Sequence, residues 1–301
     1  EIFSVTPPVR KVIKKVPMTA ANRRAVRNAA EMREEMEQPG EKIGERKNES
    51  KVPLSELVPN LRKENKLVGL AAMVMVDGKV LESTADGERK SGSEVQVTID
   101  DRWHLGSITK SITATMIARL IEAGKMQWDD TVGKIFPDAS MHEEWKTVTL
   151  WQLLTHTSGA PANFPTSVMR NRPEIGAEST AARREAVLDI IAVKPKNKPG
   201  TTHAYSNVGI TIAGAMAEKV TGETWDALVK REVFGPLSLT SAGFGPPKSV
   251  DEKLEQPQGH TSLFGWKVGA GEDADNTFVI GPAGIVHMTL QVSRLNGYPG
   301  G

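Results

Sequence analysis

Apolar and polar residues alternate in different ways along the chain, and the changes mark its elements. In "LVGLAAMVMVDGKVLESTADGERKSG" (67–92) two apolar-rich runs flank Asp77-Gly78. That pair tolerates the positive φ angles of a tight turn, so the pattern predicts a β-hairpin. The stretch "VQVTIDDRWHLGS" (95–107) reads as extended. From Ser107 the period lengthens: Ile108, Ile112, Met116 and Leu120 recur every fourth residue, and Ile117 and Ile121 widen the stripe. This predicts a core helix ended by Gly124. Further helices are predicted over Leu150–Leu154, Ala181–Ile191, Val208–Val220 and Trp225–Val233, with loops at "SGAPANFPTS" and "KPKNKPGTT". No repeat is visible. Strands followed by a helical middle predict an α+β fold, with an antiparallel sheet flanked by helices and a mainly helical subdomain.

Residues 1–52 follow another pattern, basic and Pro-bounded at first, then Ala-rich and densely charged. They read as an N-terminal arm, partly helical from a Thr19 cap to about Glu37, where Pro39-Gly40 stops the helix. Its basic half suits phosphate or lipid less well than it suits a solvated spacer. The compact part begins near Pro53. Over all 301 residues, 39% are hydrophobic and 25% charged, as in a globular protein. Lys and Arg number 38 against 37 acidic residues, so no global field favours nucleic acid or an anionic membrane as partner. The absence of cysteine excludes disulfides, thiolate metal sites and a Cys nucleophile. No apolar run reaches the roughly 18 residues of a membrane span. The chain starts at Glu1, so a signal peptide is expected to have been removed or never to have been part of it.

Two places carry candidate chemistry. Ser107 and Lys110 are three residues apart at the head of the predicted helix, on one face, so the ammonium can reach the hydroxyl. Unpaired N–H groups and the helix dipole there suit an alkoxide and the oxyanion it creates. The same S-x-x-K equally describes an N-cap serine beside a solvated lysine. Tyr205, one of only two tyrosines, lies in Tyr205-Ser206-Asn207 between a turn and the next helix. A neighbouring ammonium would lower its pKa and let it shuttle a proton, although a half-buried structural tyrosine fits as well.

The motifs in order carry a resemblance. S-x-x-K, then "LLTHTSG", then Y-x-N about a hundred residues after the serine resemble the serine β-lactamase and penicillin-binding protein group. That group includes class C β-lactamases, D-Ala-D-Ala carboxypeptidases and family VIII carboxylesterases. The contexts "RWHLGSITKSITATMIARLIEAGKMQWDDTV", "TLWQLLTHTSG", "PGTTHAYSNVGITIAGAMAEKVTG" and "GPAGIVHMT" are similar too, spanning roughly 53–290. The resemblance implies a catalytic domain over 53–301 with its helical subdomain at roughly 125–240. It also implies a serine hydrolase in which Ser107 forms the acyl-enzyme, Lys110 and Tyr205 exchange its proton, and Asn207 binds substrate and helps orient Lys110. Expected partners are a small ester, a β-lactam or a peptide. No cofactor or metal is needed, and the six histidines show no metal-ligand spacing. Resemblance alone points to a periplasmic or extracytoplasmic location.

The group's third motif, K-[ST]-G or H-x-G on a strand that completes the oxyanion hole, is not found after Met288, so the chain is expected to be incomplete at its C-terminus. Lys90-Ser91-Gly92 matches the triplet but precedes Ser107, and His260-Thr261-Ser262 lacks the glycine. His156 of "HTSG" reads as a structural loop residue rather than a base. The unfound motif leaves a second expectation open: a penicillin sensor that acylates without turnover, or a catalytically silent binding protein on the same scaffold.

Overall fold

The computed structural model describes residues 52–165, 168, 177–244, 256–263, 266–269 and 288–291. Of the predicted arm only Val52 falls among them, and of the "GPAGIVHMT" block only Met288 and Thr289 do.

The predicted hairpin is present. Strand β1 (Gly69–Val76) pairs antiparallel with β2 (Lys79–Gly87), from Gly69 opposite Gly87 to Val76 opposite Lys79. Asp77 and Gly78 both take left-handed backbone, at φ 49° and 76°, as a two-residue primed turn requires. Helix α1 (Leu54–Glu64) packs on both strands, tied by an Arg62–Asp86 ion pair and by the Leu54 amide, which donates to Glu82 Oε1 at 2.7 Å. The sequence pattern did not predict α1, because Pro59 interrupts its interior and hides the helical period.

The stretch expected to be extended is strand at one end, with a β-bridge from Gln96 to Glu88 and turns or irregular backbone elsewhere. Only β3 (Arg102–His104) is a strand, because the buried Asp101 carboxylate gathers the chain before it. That carboxylate accepts from the Thr98 amide (3.2 Å) and hydroxyl (2.8 Å) and pairs with Arg89 (2.9 and 2.5 Å). In a three-stranded antiparallel sheet, β7 (Met288–Gln291) lies between β3 and β4 (Gly243–Phe244), while β5 (His260–Leu263) and β6 (Trp266–Gly269) form a separate hairpin.

The core lies among the helices: α2 (Ile108–Glu122), α3 (Val132–Ile135), α4 (Leu150–Leu154), α5 (Ala177–Ala192), α6 (Asn207–Thr221) and α7 (Trp225–Val229). The α7 segment continues as a π-helical turn over Lys230–Phe234, where an α-helix to Val233 was expected. Helix α6 is central. Every residue from Asn207 to Glu218 is buried, and α6 contacts α2, α3, α4, α5 and α7. Deep in this core the Glu218 carboxylate pairs with Arg183 of α5, accepts from Thr180 (3.4 Å) and caps the Trp225 amide (2.8 Å). One carboxylate thus ties α5, α6 and the start of α7. Small antiparallel sheets beside a helical core make the fold α+β, as expected. No described helix is long and apolar enough to cross a membrane.

Candidate active site

Helix α2 turns its apolar stripe to the core, as the pattern predicts, except at the first turn. Met116, Ile117 and Leu120 are fully buried, but Ile108 is 56% exposed, while Thr109, Lys110 and Thr113 are buried. At that turn a lysine lies inside and an isoleucine outside. Ser107 stands at the N-cap position with backbone already helical (φ −67°, ψ −11°), and its side chain makes no capping bond. A capping serine normally holds β-region backbone and spends its oxygen on a helix amide. Ser107 does neither.

Its hydroxyl instead meets Tyr205, with 2.9 Å between the two oxygens. Tyr205 lies just ahead of α6 and is half exposed. Lys110 Nζ sits 4.7 Å from the centre of the Tyr205 ring, and the nitrogen is buried without a hydrogen bond among the described residues. Burial pushes the Lys110 ammonium below its ordinary 10.5, against an opposing pull from Tyr205. For Tyr205, burial works to raise the phenol, but Lys110 and the Ser107 hydroxyl together outweigh it and bring it below 10. Both shifts favour a pair with one proton fewer, which is the state that accepts a proton from Ser107.

Asn207 opens α6 and is 6% exposed. Its Nδ2 donates to Asn163 Oδ1 at 2.5 Å, and its Oδ1 is buried with no partner among the described residues. The sequence expectation thus brings Ser107, Lys110 and Tyr205 together, with Asn207 two residues further along. No described hydrogen bond joins Asn207 to Lys110.

The loop after α4 sets this geometry. A capping box between Thr149 and Gln152 starts α4, and beyond its end His156 (φ 59°) and Gly159 (φ 79°) both take left-handed backbone. A Cβ on Gly159 would lie 2.0 Å from the Asn197 carbonyl oxygen, so only glycine fits. The turned loop then runs beside the Tyr205 segment and bonds to it repeatedly. The Ala204 amide donates to the His156 carbonyl (2.8 Å), the Ser206 amide to His156 Nδ1 (3.2 Å), Ser206 Oγ to the Pro161 carbonyl (2.6 Å), and the Asn207 amide to the Ala162 carbonyl (2.8 Å). Ser206 Oγ also caps α6 by accepting from Gly209 (2.8 Å). The His156 ring packs on the Tyr205 ring at 4.8 Å between centres. Sequence reading took His156 for a structural loop residue rather than a base, and passed over Asn163. The available signal was the position of both in a turn-rich loop between two motifs.

The two remaining third-motif candidates meet each other. Lys90-Ser91-Gly92 form a turn closed by the Ser93 amide on the Lys90 carbonyl (3.1 Å) and the Gly92 amide on Glu88 Oε2 (2.7 Å). The Ser91 amide donates to His260 Nε2 (2.9 Å), with His260 at the start of β5.

The chain resembles proteins of known class along most of its length. The family model described as Beta-lactamase matches residues 54–292. Penicillin-binding protein 4 of Amycolatopsis lactamdurans is 34% identical over 181 residues, 60% of this chain and 45% of that protein. The D-alanyl-D-alanine-carboxypeptidase/endopeptidase AmpH of Escherichia coli K12 is 26% identical over 185 residues, 61% of this chain and 47% of its own. Among solved structures, the octameric penicillin-binding protein homologue from Pyrococcus abyssi superposes with a TM-score of 0.63 at 25% identity, covering 81% of this chain and 54% of that one. The match spans about half the length of these relatives.

Proposed function

The chain belongs to the beta-lactamase family, and on that premise we propose that it is a serine hydrolase that forms an acyl-enzyme at Ser107 on an ester or amide carbonyl. The observation that carries this reading is the 2.9 Å contact between Ser107 Oγ and Tyr205 OH, with Lys110 Nζ buried against the same phenol.

In the proposed reaction Ser107 Oγ attacks the carbonyl carbon as its proton passes to the Tyr205–Lys110 pair. The assignment of that proton belongs to the pair rather than to one residue. Negative charge then develops on the former carbonyl oxygen at the head of α2, where the Ser107 amide and the helix dipole stabilise it. As the tetrahedral intermediate collapses, the C–O or C–N bond breaks and the leaving group takes the proton back from the pair. Water, deprotonated by the same pair, then attacks the acyl carbon; the bond to Ser107 Oγ breaks, and Oγ takes the proton back from the pair. Asn207, at the start of α6 two residues after Tyr205, is the proposed substrate-binding amide. A peptide of the D-alanyl-D-alanine type, a β-lactam and a small ester each supply the carbonyl that this mechanism needs.

The test is to mix the protein with a chromogenic ester, a chromogenic cephalosporin and a D-Ala-D-Ala peptide and to follow product. Sustained release is expected from at least one of them, and Ser107→Ala should abolish it while leaving the thermal melt in place. A single stoichiometric burst would identify a sensor that acylates without turnover, and undiminished turnover by Ser107→Ala would refute the nucleophile.

A further inference from the structure

His156 meets the Tyr205 segment in three ways at once. Its carbonyl accepts from the Ala204 amide, its Nδ1 accepts from the Ser206 amide, and its ring lies against the Tyr205 ring at an interplanar angle of 40°. These contacts bracket Tyr205 on both sides in sequence and cover one face of it in space. On the Lys110 side, the ammonium holds the same ring at 4.7 Å. The Tyr205 ring therefore meets both an imidazole and an ammonium, and its oxygen meets Ser107.

We propose that His156 is a positioning residue for the Tyr205–Lys110 pair: as a neutral imidazole carrying its proton on Nε2, it clamps the Ser206 amide and the Tyr205 ring so that the phenol oxygen stays on Ser107. The inference rests on the proposed nucleophile and base.

The chemistry of Nδ1 fixes the tautomer. A ring nitrogen that accepts an N–H carries no proton, so in the neutral ring the proton is on Nε2. An imidazolium would place an Nδ1–H against the Ser206 N–H, donor facing donor, and the clamp would open. The groups that face the ring all oppose that charge or are neutral. They are Lys110 from α2, and His203, Tyr205 and the Ser206 amide from the segment before α6. The His203 ring stands perpendicular at 5.8 Å. Burial first, and then His203 and Lys110, hold the His156 imidazole below its ordinary 6.5. The clamp is thus intact at neutral pH and is lost as pH falls through that lowered value.

The experiment follows labelling of Ser107 by a fluorophosphonate, read by intact mass, across the acid and neutral pH range in the full chain. In the wild type, beneath the limb of the Lys110–Tyr205 pair, a second fall in rate of about tenfold to hundredfold is expected, the cost of one lost buried hydrogen bond. His156→Asn should lack that second fall, because an amide oxygen can accept from Ser206 without titrating and Asn tolerates the left-handed backbone at φ 59°. His156→Phe keeps a ring but no acceptor, and should label slower by about the same factor at every pH. A second fall that persists in His156→Asn, or wild-type labelling by His156→Phe, overturns the proposal. Nitrogen NMR of the imidazole gives an independent reading: the Nε2–H tautomer is expected, and an Nδ1–H tautomer overturns the assignment even where Ser107 labels normally. Equal labelling of wild type and Ser107→Ala would instead defeat the nucleophile reading, and this inference with it.

Discussion

Replacing Tyr205 with Phe removes one oxygen atom from the cleft and leaves its surroundings in place. That oxygen is 2.9 Å from Ser107 Oγ and belongs to a side chain that is 48% exposed, while the ring it leaves behind still packs on His156. Loss of a half-exposed hydrogen bond costs folding about 0.5–1.5 kcal/mol at most. Loss of a proton-transfer group costs about 10²–10⁴ in rate, or about 3–5 kcal/mol of barrier. The two effects differ enough to be separated in one preparation, by measuring kcat/KM on a chromogenic ester beside a thermal melt. A pH profile adds a signed expectation. Lys110 is lowered by burial and partly held up by Tyr205, so without the phenol its pKa falls further, and the rising limb of the residual activity moves to lower pH. A rate within a factor of about three of wild type, less than 1 kcal/mol of barrier, would remove Tyr205 from the mechanism, as would a limb that stays in place.

Lys110→Met should abolish ester turnover and yet stabilise the fold by about 1 kcal/mol, since a buried unpaired polar group costs about 1–3 kcal/mol and the cation over the Tyr205 ring returns about 1; a lower denaturant midpoint would contradict this. Glu218→Gln leaves the Arg183 charge buried without its counter-ion and should cost about 3–5 kcal/mol by urea unfolding. Replacing Arg183 and Glu218 together with apolar residues should recover most of that loss, and a double variant as unstable as the single one would refute the pairing argument.

The local pattern carried the hairpin and the helices well, because each has a period and a stop signal of its own. Asp77-Gly78 supplies the turn, Gly124 (φ 73°) ends α2, and Thr149 with Gln152 starts α4. Where tertiary contacts decide, the pattern misled. Asp101 turns "VQVTIDD" back toward Arg89, and Pro59 sits inside a helix that packing on the hairpin sustains. The α2 stripe holds except at Ile108, which is exposed while Lys110 is buried. Ser107, Lys110 and Tyr205 stand out in the sequence because their order along the chain matches a known pattern, and the structure brings the three together. His156 and Asn163 were not, since a residue that acts by accepting a backbone amide or fixing another amide leaves no periodic trace.

The two ends of α6 show where stability gives way to chemistry. Both ends bury a polar side chain, and the surroundings treat them in opposite ways. At Glu218 both carboxylate oxygens are engaged, by Arg183, Thr180 and the Trp225 amide. At Asn207 the backbone amide and Nδ2 are bonded to the 155–164 loop, but Oδ1 is left without a partner among the described residues. On α2, the buried Lys110 Nζ has no hydrogen bond among them and lies 4.7 Å from the centre of the Tyr205 ring. An acceptor and a donor, each costly to bury unpaired, are thus held near Tyr205. Arg183 Nη1 beside Glu218 is likewise buried without a partner among the described residues, so such an atom alone does not mark a site. In the proposed acylation, the two near Tyr205 would act as dipoles fixed before the substrate arrives, which need no reorganisation when charge develops. The same helix thus anchors the core at Glu218 and, at its other end, holds Asn207 against the loop that carries His156.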